Sequence, residues 1–294
     1  MTELVQTLVL SLLVGGIYAL VASGLTLIFG VMRVINIAHG AFMILGAFIT
    51  YTLWNQLGLD PLLGVLITTP VVFGLGWVTY RLLVRPIRHA PMSSTVLLTF
   101  GLALVVEGAM GEIWGNDSTS IRPSYVDRAF HVGNVFLPEA QVYGGVLAVL
   151  VLLALWLILT KTWLGRAIRA AAANPSSAEL VGIKVTSVAA LVFGLGLAAA
   201  GAGGAITGVL YPFVPGSHYL WIARLLAIVV LGGLGSLEGA VLSALVFGIA
   251  ETVTAVYISP AWATAVPYAI VFFVLLIRPQ GLLGTRLRDD AVTA

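Results

Sequence analysis

Along this chain, uncharged runs of about twenty residues alternate with short charged ones. Nine apolar segments follow, at 4–32, 35–54, 62–83, 94–113, 142–160, 186–210, 220–234, 237–257 and 262–277. Each is predicted to be helical, because backbone facing lipid has no water to bond and must satisfy its own N–H and C=O groups. The seventh and eighth are parted only by Gly232-Gly233-Leu234-Gly235-Ser236-Leu237-Glu238-Gly239, so eight or ten segments also fit the pattern. The first run carries no charge from residue 8 to residue 32 and has no positive residue ahead of it. It exceeds the roughly 20 residues that cross a hydrocarbon core, so it reads as a span and not as a cleaved leader.

Composition agrees with lipid as the solvent. Of the 294 residues 60% are hydrophobic and 9% charged, against about 25% charged in a soluble domain. With its N-terminus outside, the chain places Arg33, Arg81, Arg85, Arg88, Lys161, Arg166, Arg169, Lys184, Arg278, Arg286 and Arg288 on the inner side, and only Arg122, Arg128 and Arg224 on the outer. The positive-inside rule selects that orientation, with a cytoplasmic C-terminus. The expected fold is therefore an all-α polytopic membrane protein of one domain, residues 1–294, with about nine transmembrane segments. An outer loop covers 114–140 and a cytoplasmic loop 161–184. Within the outer loop, 131–136 is a candidate hairpin around Gly133-Asn134.

Small residues recur at spacing four. Gly196, Ala200, Gly204 and Gly208 run along the sixth segment, and Gly232, Ser236, Ala240, Ala244 and Gly248 across the seventh and eighth. Small side chains let helices approach closely where no hydrophobic force draws them together. Packing faces are the favoured reading of these ladders, with a solute path as the other. Polar groups inside apolar segments are costly and need a reason. Asn36, His39 and Gly40 would share one helical face, either as a kinked helix start beside a path or as an interfacial cap next to Arg33. Glu107 lies on a stripe with Thr95, Thr99 and Ala103, either buried or reaching the outer interface. Glu251 is expected at the outer interface. Glu238 belongs to the inner glycine-rich turn, facing a basic loop residue or a partner.

The inner loop is the most structured connection. The stretch 163–173 has strong helix formers with Arg166 and Arg169 on one face. Asn174-Pro175 then makes an N-cap followed by proline at the first helical position, and 176–181 would form about two turns stopped by Gly182. A short exposed helix of this kind fits a groove on a partner. An amphipathic loop on the lipid surface fits the residues equally well.

Certain runs resemble the permeases of branched-chain amino acid ABC importers, and more narrowly the H-type of the two homologous permeases. They are Gly16-Ile17-Tyr18-Ala19-Leu20, Gly24-Leu25-Thr26-Leu27-Ile28-Phe29-Gly30 and Asn36-Ile37-Ala38-His39-Gly40-Ala41-Phe42, then Gly165-Arg166-Ala167-Ile168-Arg169-Ala170, Glu179-Leu180-Val181-Gly182-Ile183, the 232–239 turn and Arg278-Pro279-Gln280-Gly281-Leu282-Leu283-Gly284. The resemblance covers residues 5–284 in order. It implies a bundle like that of type II ABC importers, in a bacterial cytoplasmic (inner) membrane. It also implies an M-type permease as heterodimer partner, two ABC ATPase subunits, and a periplasmic or lipid-anchored substrate-binding protein. ATP and Mg would be bound by the ATPase subunits, with no cofactor in this chain. The inner loop would then be the coupling helix, with Arg166, Arg169, Asn174, Pro175, Ser176, Ser177, Glu179 and Gly182 as candidate ATPase contacts. This chain departs from the family in carrying Pro175-Ser176-Ser177 after the asparagine. Tyr18, Asn36, His39, Gly40, Thr99 and Glu107 are candidates for the substrate path, and Gly235, Glu238 and Gly239 mark the inner turn. The run His39-Gly40-Ala41 is echoed by Glu238-Gly239-Ala240 in the second half.

Other classes find less support. There is no cysteine, which removes thiolate metal sites and thiol nucleophiles. His39, His89, His131 and His218 are scattered without metal-ligand spacing, and no glycine-rich run ends in the lysine of a nucleotide loop. A self-sufficient secondary transporter or channel is the second class considered. It would need protonatable groups deep in the bundle, where only Glu107 and His39 come close.

Overall fold

The computed structural model describes residues 2–88, 90–133 and 135–284. His89, Asn134, Arg286 and Arg288 fall outside the described residues. The chain forms α1 (Thr2–Met32), α2 (His39–Leu57), α3 (Pro61–Thr79), α4 (Met92–Trp114), β1 (Ala129–Val132), β2 (Val135–Pro138), α5 (Glu139–Lys161), α6 (Trp163–Ala173), α7 (Pro175–Leu180), α8 (Val185–Leu210), α9 (His218–Gly232), α10 (Leu237–Tyr257) and α11 (Ala265–Ile277). The nine expected segments correspond to α1–α5 and α8–α11. Among the described residues, seven stretches are long and apolar enough to cross a membrane by length and composition. Of the nine helices matched to the expected segments, two fall outside that set: α2 holds Asn55 and Gln56 in its last turn, and α11 has only 13 residues.

Local chemistry sets many of the ends. The Asp60 carboxylate caps α3 by accepting from Leu62 N–H (2.9 Å), with Pro61 at the first position. Gly58, in the left-handed conformation, ends α2. α3 runs on through a π-helical turn at Tyr80–Val84 and a 3-10 turn at Arg85–Ile87. The hairpin expected at 131–136 is present, with β1 and β2 antiparallel and Val132 paired with Val135. It lies at the end of the bundle that holds the start of α1, since Phe136 N–H donates to the Gln6 side chain (3.1 Å). Beside it the Tyr125 hydroxyl faces Asp60 Oδ1 at 3.4 Å, and burial together with that carboxylate pushes the phenol pKa up.

The core is a wall of glycine contacts centred on α8. A Cβ at Gly204 would strike the Met43 carbonyl of α2, one at Gly203 would meet Val21 of α1, and one at Gly201 would meet Val72 of α3. α1 packs in turn on α10, where Gly248 touches Gly15 and Ser11. The ladders therefore lie in packing faces. Around them α4 and α5 turn Leu97, Leu104, Val105, Val146, Val149 and Leu150 outward.

Candidate functional site

One helix of this bundle does not begin at its end. α1 stops at Met32, and Arg33 reverses the chain with φ of +53°. Six residues later His39 Nε2 is 3.0 Å from the carbonyl of Val21, eleven residues back along α1. Eleven helical residues rise roughly 16 Å, so α2 starts well inside the bundle. Residues 34–38 climb to that level outside any helix. Their backbone is supplied by Thr99 of α4, whose hydroxyl accepts from Ile37 N–H and bonds the Ile35 carbonyl, both at 3.2 Å. Non-helical backbone at membrane depth persists only where protein or a water-filled cavity covers it.

Asn36 sits in this climbing strand and not on the helical face expected for it with His39 and Gly40. The cause is the reversal at Arg33, which leaves no helix before His39. Asn36 is buried, and both atoms of its amide lack a partner among the described residues. His39 Nδ1 is likewise unpartnered. Gly40 is where α9 crosses: a Cβ there would approach the His218 carbonyl oxygen at 2.7 Å. Its supposed counterpart Gly239 packs instead on Gly232 at the far end of the bundle.

Two carboxylates reach α9 from opposite sides. Glu107 Oε2 accepts from the Tyr219 hydroxyl (2.8 Å) and lies 3.0 Å from Nε2 of the buried His218. Glu251 Oε1 accepts from Arg224 Nη2 (2.8 Å), and its Oε2 accepts from the Tyr18 hydroxyl (2.7 Å). Glu251 is thus a paired group inside the bundle and not an interfacial one. Arg224, expected among the outer charges, lies within α9. The sequence did hold the signal: an arginine inside one apolar run and a glutamate inside another each demand a partner. Nothing local says that the two are each other's.

The opposite end carries an arm. α6 matches the expected span, and Thr162 caps it by accepting from Gly165 N–H (3.2 Å). Arg166 and Arg169 are exposed on it, and Arg169 donates to the Leu159 carbonyl. The Asn174 side chain accepts from Ser177 N–H (3.0 Å), as a cap should, with Pro175 at the first position of α7. α7 ends at Leu180, and Gly182 leaves it in the left-handed conformation, φ +84°. Ser176, Ser177 and Glu179 are exposed, while Ala178 is the buried residue of the helix. Leu180 and Val181 at the tip are 89% and 76% exposed. Beneath α7 a cavity of about 300 Å³ is lined by Met32, Tyr80, Arg88, Ser176, Glu179 and Thr186. The inner turn stands beside the arm: Gly235, φ +84°, lies against Gly30, and Glu238 shares a cavity of about 360 Å³ with Arg169.

Polar groups paired within a bundle of long apolar helices define a multi-pass membrane protein. The family model described as branched-chain amino acid transport system / permease component matches residues 7–275, and the chain belongs to that family. It is similar to the high-affinity branched-chain amino acid transport system permease protein BraD of Pseudomonas aeruginosa, at 31% identity over 95% of both chains. The permease protein LivH of the corresponding system of Escherichia coli is 28% identical over 92% of both. A probable branched-chain amino acid transport permease protein LivH of Methanocaldococcus jannaschii is 28% identical over 93% of this chain and 90% of its own. No solved structure matches.

Proposed function

We propose that this chain is the H-type permease subunit of an ATP-driven importer of branched-chain amino acids or related small organic solutes. It crosses the bacterial inner membrane nine times, with the N-terminus outside and the C-terminus in the cytoplasm. It pairs with an M-type permease, and two ABC ATPase subunits supply ATP and Mg chemistry from the cytoplasmic side. A periplasmic or lipid-anchored binding protein delivers the solute. The observation that carries this reading is the arm. Leu180 and Val181 are apolar and almost bare at the tip of a capped helix, on the side to which the positive-inside rule assigns the cytoplasm. Exposed apolar residues so placed are covered by a partner, and a helix held at both ends by spans passes a push from that partner into α5 and α8.

Within the bundle, the break before α2 supports a solute path that passes Asn36, His39, Gly40 and Thr99, with Tyr18 and Glu107 nearer the outer side. Discontinuous helices near mid-membrane leave polar groups free for a solute.

The test uses the assembled importer. Leu180→Asp with Val181→Asp should abolish co-purification of the ATPase subunits while the two permeases still associate. Retention of the ATPases would reject the arm as their docking site. Orientation is read in a chain that has no native cysteine. Ser177→Cys should react with an impermeant thiol reagent only after cells are opened, and labelling of intact cells would invert the topology.

A further inference from the structure

Among the described residues α9 is covered on one side only. Ile222, Leu225 and Val229 are buried in the bundle, whereas Tyr219, Leu220 and Ala223 are exposed and Ala227 and Val230 half-buried. At 3.6 residues per turn the uncovered positions form one continuous arc. Both edges of that arc are polar. On one, Tyr219 bonds Glu107; on the other, Arg224 bonds Glu251. The outward faces of α4 and α5 carry leucine and valine instead. Ionised groups facing lipid are unfavourable, so the arc of α9 faces something that solvates charge.

The edge holding Arg224 is shaped as a site. Its guanidinium lies 5.1 Å from the ring centres of both Tyr18 and Trp221. Tyr18 meets Trp221 and Phe247 edge-on, and Phe247 meets Tyr268. The hydroxyls of Tyr211 and Tyr268 stand in the field of Arg224 and Glu251 and make no hydrogen bond among the described residues. Nor do the N–H groups of Arg224 other than the one given to Glu251. The two charged side chains are 19% and 20% exposed, so the pair is reachable. A cation and an anion side by side, with spare donors and an aromatic wall, match a molecule with a carboxylate and an ammonium on one carbon and an apolar side chain. The carboxylate takes the open N–H groups of Arg224, and the ammonium takes Glu251. Each protein charge exchanges one ionic partner for another. A neutral solute offers nothing for which the pair would part, and a singly charged one would take one partner and leave the other unpaired, which is strongly unfavourable when buried.

We propose that the open arc of α9 lines the solute path and that Arg224 and Glu251 receive the two charged ends of an apolar α-amino acid. This inference rests on the importer reading above. The test reconstitutes the complete importer in liposomes and measures ATP-driven leucine uptake beside stimulation of the ATPase by the loaded binding protein. No uptake by the wild type rejects the importer reading, and this site with it. Given wild-type uptake, Arg224→Gln and Glu251→Gln should each lower the rate per assembled complex about tenfold or more with ATPase stimulation retained, and Arg224→Lys should recover part of it. Unchanged uptake overturns the site. Equal loss of uptake and stimulation assigns the pair to packing of α9 on α10 and also overturns it. Should the charge variants not assemble, Ala223→Cys in the otherwise cysteine-free chain decides. A water-soluble maleimide should label it in the assembled importer, more slowly when leucine is being transported, and an unreactive cysteine overturns the proposal.

Discussion

α4 and α8 are apolar helices of similar length and hydropathy, yet in their most apolar 18-residue stretches 72% of the residues of α8 are buried and only 17% of those of α4. In water two such helices would both seek the interior. In lipid the tails are as apolar as leucine, so apolarity alone decides nothing about position in the bundle. What differs is where the glycines point. Those of α8 meet backbone of α1, α2 and α3, whereas Gly101 and Gly108 of α4 face open space. α4 contributes in another way. Its buried stripe of Thr95, Thr99, Ala103 and Met110 is half polar, and Thr99 holds the broken strand ahead of α2. One helix supplies close packing, the other supplies hydrogen bonds.

The sharpest way to break this contrast is to give both helices the same methyl group. Gly204→Ala forces a Cβ onto the Met43 carbonyl and should cost about 3 kcal/mol or more, seen as loss of folded protein in detergent. Gly108→Ala should instead stabilise the fold by about 0.5–1 kcal/mol of helix propensity, read as a higher melting temperature. A fall would mean that a second helix covers that face of α4. Next in size, Thr99→Val keeps the shape but leaves Ile37 N–H unbonded, at a cost of about 1–3 kcal/mol. Thermal unfolding checks the size, and proteolysis should show residues 33–38 opening first. Asn174→Ala removes the cap of α7, worth about 1 kcal/mol, and should weaken ATPase coupling while the melting temperature of the bundle stays put.

The smallest effect lies outside the helices. Tyr125 has a raised pKa in the folded chain, so the folded state holds its proton where the unfolded state releases it. Stability from this group is complete below the unfolded value of 10 and falls as pH rises from there through the folded pKa. Tyr125→Phe should flatten that alkaline decline in a melting-temperature profile and leave neutral pH within about 0.5 kcal/mol.

Much of this was legible beforehand because it is local. Asn174-Pro175 ending in Gly182 is a start and stop signal within one short stretch, and the arm follows it to within one residue at each end. The hairpin around Gly133 and the helices of the nine apolar segments follow from equally short-range rules. The break before α2 is half legible: Asn36 and His39 stand out as polar groups in an apolar run. Their helical spacing misled, since the register of a helix is only defined once it has started.

By itself, then, the order of residues determined which stretches are helices, what solvent they need and where the arm begins, since backbone satisfaction, capping and hydrophobic length act over a few neighbours. Only the tertiary structure decided that α8 is the centre and α4 the rim, that Val21 receives His39, and that Arg224 answers Glu251 across two helices. Those outcomes depend on pairs far apart in the chain, whose partners are chosen by the depth and facing of whole helices.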